Sequence, residues 1–103
     1  MVRRGEVWWY EHPDAGRRPF LILTRDEACG VLNQVMGVPA TTVIRDIPTE
    51  VHVDERDGMP RPCAFTLDNI TLIRPTLCTS MVTSLDASKM TEVCVAMGHA
   101  TAC

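Results

Sequence analysis

Two short stretches hold the residues best suited to chemistry. Gly16-Arg17-Arg18-Pro19-Phe20-Leu21-Ile22-Leu23-Thr24 sets a basic turn directly ahead of an apolar run. Val38-Pro39-Ala40-Thr41-Thr42 ends another apolar run in a pair of hydroxyls. A guanidinium presents a planar fork of donors that matches phosphate oxygens, and a threonine hydroxyl adds one more donor. At neighbouring strand ends the two would grip a phosphate. Arg18 is the expected anchor, because rigid Pro19 and the buried strand behind it would hold the fork in position. Thr41 is the expected second donor. Thr42 is the alternative, since a one-residue slip in a strand reverses the face.

Proton transfer needs other groups, because an arginine with a pKa above ~12 is a poor acceptor. His12 and Asp14 lie just ahead of the basic turn, and His12 has the intrinsic pKa for acid–base work. His52 falls on a polar strand face and reads as solvated, and nothing marks His99. Trp8 and Tyr10 share one face of the first apolar segment, where they would stack on bases or belong to a core or interface. Arg3, Arg4, Arg17 and Arg25 would track a polyanion backbone or simply keep the surface soluble. Asn69, after Asp68, would read a base edge or close a turn.

The elements that must position these groups are legible in the apolar pattern. Gly5 to Tyr10 alternates and reads as a strand, with Val7 and Trp9 inward. Glu11 to Arg18 reads as a turn-rich loop, and Phe20 to Thr24 as a strand buried on both sides. Asp26 to Gly30 forms one short helical turn. Gln34 to Thr42 is a third strand, with Pro39 marking a bulge or an edge. Glu50 to Asp54 alternates so that the valines face inward and Glu50, His52 and Asp54 face water. Asp57 to Pro60 is a turn, and Cys63–Leu67, Ile70–Ile73 and Leu77–Thr83 are further short strands. Met90, Val93, Cys94 and Met97 recur at helical spacing, with Asp86 as N-cap and Gly98 past the end. The pattern predicts a mainly β (β+α) fold, a small curved β-barrel with a C-terminal helix on one side.

The 103 residues suffice for one domain with one modest core. No apolar run approaches the ~18 residues of a membrane helix, and the N-terminus lacks a signal-peptide core, so a cytoplasmic protein with no membrane association is expected. Five cysteines, an odd number with no Cys-x-x-Cys pair, argue against zinc and a disulfide framework and read mostly as small core hydrophobes. The net charge of −3 argues at first against a polyanion partner. Nine of the ten Lys and Arg residues are Arg, however, and five of them fall within the first 25 residues.

The order of motifs resembles the MazF/PemK-type toxins, the ribonuclease half of bacterial type II toxin–antitoxin pairs. Arg4-Gly5-Glu6-Val7-Trp8 is similar to that family's opening strand, and Arg18-Pro19-Phe20-Leu21-Ile22-Leu23 to its Arg-Pro followed by aliphatics. Val38-Pro39-Ala40-Thr41-Thr42, with Ile47-Pro48-Thr49-Glu50-Val51, resembles its Val-Pro-x-Thr-(Thr/Ser) strand and the following Pro-x-x-Val. Leu67-Asp68-Asn69-Ile70 and the Leu85–Met97 helix resemble its closing third. The chain departs from the family in its first loop. Many relatives carry Gly-Ser-Glu-Gln before the Arg-Pro, and this chain has only His12-Pro13-Asp14-Ala15-Gly16-Arg17.

The resemblance implies a single toxin domain over 1–103, an SH3-like (CcdB/PemK-type) barrel acting as a homodimer, and a cognate MazE-like antitoxin. It implies metal-independent, sequence-selective cleavage of single-stranded RNA without a cofactor, by 2′-hydroxyl attack. Arg18 and Thr41 would be catalytic, with His12, Asp14 and Thr42 as further candidates. Arg17, Arg25, Trp8 and Asn69 would contact RNA. A CcdB-like gyrase-binding barrel is the alternative, but such proteins end in Trp-Gly-Ile and this chain ends Ala100-Thr101-Ala102-Cys103. An inactive structural barrel is the third possibility.

Overall fold

A computed structural model describes residues 1–14 and 16–103. Seven strands form one antiparallel sheet: β1 (Glu6–His12), β2 (Gly16–Ile22), β3 (Val35–Thr41), β4 (Glu50–Val53), β5 (Cys63–Thr66), β6 (Thr71–Ile73) and β7 (Cys78–Ser84). Their order is β4-β5-β3-β2-β1-β7, with β6 also paired to β3. A short helix α1 (Asp26–Cys29) follows β2, and α2 (Ala87–Thr101) closes the chain. The ladder is not closed into a hydrogen-bonded barrel, yet its two edges approach. The Thr83 hydroxyl of β7 donates to the Asp57 carbonyl, 2.8 Å away, in the turn between β4 and β5. Gly58 in that turn has φ +91, and a Cβ there would lie 2.3 Å from Thr83 Oγ1. Only glycine allows this approach.

The sheet is packed on both faces, which explains several departures from the strand pattern. On one face Val7, Leu21, Val38 and Phe65 meet Val93 and Ala96 of α2. On the other, Tyr10, Phe20, Ile22, Val35 and Ile73 form a second cluster. Tyr10 is therefore buried and stacks at 5.0 Å from Phe20, so it is no exposed partner of Trp8. Trp8 is half-buried against the same cluster, and its indole N–H donates to Glu6 Oε1 at 3.0 Å. Trp9 does not join either core.

The expected Glu11–Arg18 loop shrinks to the tip of a hairpin. Glu11 pairs with Arg17 and His12 with Gly16, so Arg17 and Arg18 are strand residues. Gly16, at φ +77, supplies the left-handed turn residue that such a short connection needs. Beyond the tip, β2 is exposed at Arg17 and Arg18 and buried only from Phe20 onward. Pro39 lies neither at an edge nor in a bulge. It sits where β3 changes partner on one side, from β6 through Gly37 to β5 from Ala40, and a missing N–H is tolerated at that switch.

Helix α2 begins as its sequence predicts, with the Asp86 carboxylate accepting from the Lys89 N–H at 2.8 Å. It does not stop before Gly98. It runs on to Thr101 and is capped by Ala102 at φ 59. Its core residues are Val93 and Ala96, with Met90, Met97 and Ala100 packed alongside, and Cys94 is exposed. Cys29 and Cys63 are buried as expected, Cys103 is exposed, and all five thiols are free. Burial pushes the half-buried Cys78 thiol up to about 11, leaving it neutral and unreactive near pH 7.

Glu50 does not face water. Its side chain is fully buried and accepts from the backbone N–H groups of Arg45 and Asp46 and from the Thr66 hydroxyl. Burial alone would raise its pKa. Those hydrogen bonds, with one from His52, outweigh burial and hold the carboxyl below its ordinary range. The result is a pinned loop, residues 42–49, directly after Thr41. His52 is half-exposed, with Nε2 3.4 Å from Asp46 Oδ1.

Candidate functional site

Two cavities lie on opposite faces of the β1–β2 hairpin. Alternation along the strands puts Tyr10, His12 and Arg18 on one face and Trp9, Arg17 and Pro19 on the other. The first cavity, about 290 Å³, is lined by His12, Arg18, Phe20 and Thr71–Ile73. It adjoins a more polar one of about 470 Å³ that shares Tyr10, His12 and Leu72 and adds Asp14, Gln34 and Arg74. The second face holds a mainly apolar cavity of about 290 Å³, with Trp9, Pro19, Thr41, Thr42, Met59 and Arg61 among its lining.

Arg18 sits between the two. Its Nη2 donates to the Ala40 carbonyl at 2.7 Å, which ties the guanidinium to the residue directly before Thr41. Extending the register Phe20↔Pro39 by two residues places Arg18 opposite Thr41. Arg18 within β2 thus lies across from Thr41 at the end of β3, although the two line different cavities. A guanidinium has five N–H donors, and the Ala40 carbonyl fixes the plane while leaving most of the fork for a ligand. Thr41 is half-buried, and its Oγ1 accepts from the Val43 N–H at 3.1 Å, leaving its own O–H to donate outward. Thr42 is exposed and lines the same cavity.

His12 is half-buried at the hairpin tip, and its Nδ1 accepts from the Asp14 N–H at 3.0 Å. That bond selects the neutral tautomer with hydrogen on Nε2, which makes the free nitrogen a donor. Asp14 is exposed on the same side. Arg18, His12 and Asp14 are therefore gathered around one continuous groove.

The remaining sequence candidates lie apart from it. Arg25 is exposed and caps α1, where its carbonyl accepts from the Ala28 N–H. Asn69 is exposed in the 3-10 turn Leu67–Asn69, where its neighbour Asp68 accepts from the Thr49 hydroxyl at 2.7 Å. Trp8 packs against the second core cluster and lines neither of the two 290 Å³ cavities. Arg4 is structural, its guanidinium donating to the Leu23 carbonyl and to Cys94 Sγ. Arg17 does reach an aromatic face, but that of Trp9, with Cζ 4.1 Å from the ring centroid.

Sequence reading missed Trp9, Arg61 and Arg74. Trp9 shares the face of Val7 as alternation predicts, but it lies past the core and lines the cavity instead. Arg61, between Pro60 and Pro62, carried a usable signal, because two flanking prolines stiffen the chain and forbid a continuous ladder. Among the described residues, no three His, Cys, Asp or Glu side chains converge as a metal site requires.

Comparison with known proteins identifies the family of the chain and its fold. Residues 3–100 match the model of the PemK-like, MazF-like toxin of type II toxin–antitoxin systems. The chain is 35% identical over 104 residues to the probable endoribonuclease MazF5 of Mycobacterium tuberculosis, covering all of this chain and 95% of that protein. It is 30% identical over 103 residues to the probable endoribonuclease MazF2 of the same species, covering 99% of this chain and 100% of that protein. The solved structure of M. tuberculosis toxin MazF-mt6 superposes with a TM-score of 0.86 at 30% identity, over 94% of this chain and 96% of that one. A mycobacterial endoribonuclease solved with its cognate antitoxin shares the fold at a TM-score of 0.88 and 22% identity, over 99% and 96% of the two chains. None of these relatives favours a gyrase-binding barrel. The chain belongs to the PemK-like, MazF-like toxins of type II toxin–antitoxin systems.

Proposed function

We propose that this chain is a sequence-selective endoribonuclease toxin, residues 1–103 acting as one domain in the cytoplasm on single-stranded RNA. The observation that carries the reading is the Arg18 guanidinium, fixed at 2.7 Å to the carbonyl of Ala40, the residue before Thr41, and on the groove that holds His12. A phosphodiester laid across β2 and β3 at that point meets a cation and a hydroxyl at once.

The reaction forms a bond from the ribose 2′-oxygen to phosphorus and breaks the bond to the 5′-oxygen of the next nucleotide. Negative charge gathers on the phosphoryl oxygens, and the preorganised Arg18 fork stabilises it. Thr41 adds a second donor. The Asp14 carboxylate takes the 2′-hydroxyl proton and later loses it to solvent, and water supplies a proton to the leaving 5′-oxygen. The neutral His12 donates a hydrogen bond from Nε2–H to the phosphate without giving up its proton. The products are a 2′,3′-cyclic phosphate, which can open to the 3′-phosphate, and a 5′-hydroxyl. The proton lost at one oxygen is restored at the other through solvent, so no cofactor or metal is required by this scheme.

Met36 of β3 and Leu72 of β6 pair across the ladder and are 41% and 58% exposed. That apolar pair adjoins the Arg18 groove and offers a second copy of the chain a surface for a homodimer. A cognate antitoxin would lie along the basic groove with an acidic, initially disordered segment, as a mimic of RNA charge.

The test is incubation of the protein in EDTA with a long unstructured RNA, followed by mapping of both ends. Discrete cuts with 5′-hydroxyl and cyclic-phosphate ends support the reading. Intact RNA, or 5′-phosphate ends, sinks it.

A further inference from the structure

On the face of the hairpin opposite Arg18, the cavity that contains Trp9 has the chemistry of a base-reading pocket. We infer that it receives one unstacked nucleobase next to the scissile phosphate and that Arg61 sets which base is accepted. The inference rests on the ribonuclease reading above and extends it to recognition.

The lining supports this occupant. Trp9, Pro19, Met59 and Pro60 give broad apolar walls, as the face of a base requires. Arg17 covers one face of the indole at 4.1 Å and is braced by Glu11, with Nε 3.7 Å from Oε2. The aromatic surface is thereby oriented, and Arg61 is the one charged side chain among the cavity's described lining. Unstacked bases are commonly held on such aromatic and guanidinium planes. Ala40, whose carbonyl holds Arg18, lines the pocket together with Thr41 and Thr42, so its occupant lies next to that anchor point.

Arg61 is exposed at the pocket and, among the described residues, makes no ion pair or hydrogen bond. Its donors are free for a ligand. A guanidinium can only donate, so it favours a base edge with neighbouring acceptors, as guanine presents through O6 and N7. The prolines on both sides limit the backbone freedom of this donor and sharpen its aim. A phosphate contact would hold RNA regardless of sequence, whereas an arginine over an apolar slot reads the edge of the base inside it.

The experiment maps cleavage of a randomised RNA pool by wild type, Arg61→Ala, Arg61→Lys and Trp9→Phe. Arg61→Ala should lower the preference for the favoured base at one position beside the cut by about 10- to 100-fold in kcat/KM ratio. Arg61→Lys should keep the charge and still lose that preference, because it lacks the fork. Trp9→Phe, which keeps an aromatic face, should keep it. Equal loss of cleavage on every sequence, with a weaker salt dependence, would make Arg61 a phosphate contact and overturn the proposal. Unchanged selectivity in Arg61→Ala, with weakened binding of an acidic antitoxin peptide, would also overturn it and assign the pocket to that partner. Selective cutting by wild type with an unaltered pattern in every variant sinks the pocket alone, whereas intact RNA with wild type sinks the ribonuclease reading beneath it.

Discussion

The two faces of the β1–β2 hairpin differ in kind. One gathers Arg18, His12 and Asp14, groups able to stabilise charge and move protons, around a groove with polar walls. The other gathers Trp9, two prolines, Met59 and Arg61 around an apolar cavity, with the Arg17–Glu11 ion pair beside the indole. Alternation in a strand sends neighbouring residues to opposite faces, so Arg17 and Arg18, identical in type, fall into different environments. Arg18 is anchored to a carbonyl, and Arg17 lies flat on an indole. The difference teaches that the pleat of a short hairpin alone can set two unlike environments back to back, which under the proposed function separates chemistry from recognition.

The sharpest way to break this division is Arg18→Ala. The side chain is exposed, so the fold should survive, while single-turnover cleavage should fall by about 10³-fold or more. Thr41→Val removes one donor and should cost about 10²-fold in kcat with little change in thermal melting. If Arg17→Ala proved as damaging to kcat as Arg18→Ala, the two faces would not be functionally distinct.

Two structural predictions test what holds the faces in place. Gly58→Ala forces a Cβ into Thr83 at a positive φ and should destabilise by about 2–4 kcal/mol. Calorimetry should show a Tm lower by roughly 10 °C or more. The smallest effect is pH-dependent. Because the folded Glu50 carboxyl is held below its ordinary pKa, its contribution is complete above about pH 4.3 and disappears as pH falls through the lower folded value. Melting curves between neutral and acid pH should therefore steepen in wild type relative to Glu50→Gln. An identical pH profile for both would show that Glu50 does not pin the loop after Thr41.

The antiparallel β architecture and the capped C-terminal helix were readable because apolar period and Asp86 act locally. The placing of Arg18 and Thr41 on neighbouring strands was readable because each flanks an apolar run. What escaped depends on distant partners. Tyr10 is buried because a second cluster, with Val35 and Ile73, covers the face that alternation assigns to water. Glu50 is buried because the Arg45–Asp46 backbone and Thr66 converge on it from two parts of the chain. Helix α2 passes through Gly98 because its packing against the sheet outweighs a propensity cost of about 1 kcal/mol. Arg61 shares a cavity with Trp9 because β5 pairs with β3, which pairs with β2.

The most direct measurement is single-turnover cleavage, in EDTA, of one mapped target carrying ribose or 2′-deoxyribose at the nucleotide before the cut. Attack by the 2′-hydroxyl under the Arg18 fork predicts 5′-hydroxyl ends from the first substrate and none at that position from the second. Equal cleavage of both would contradict it.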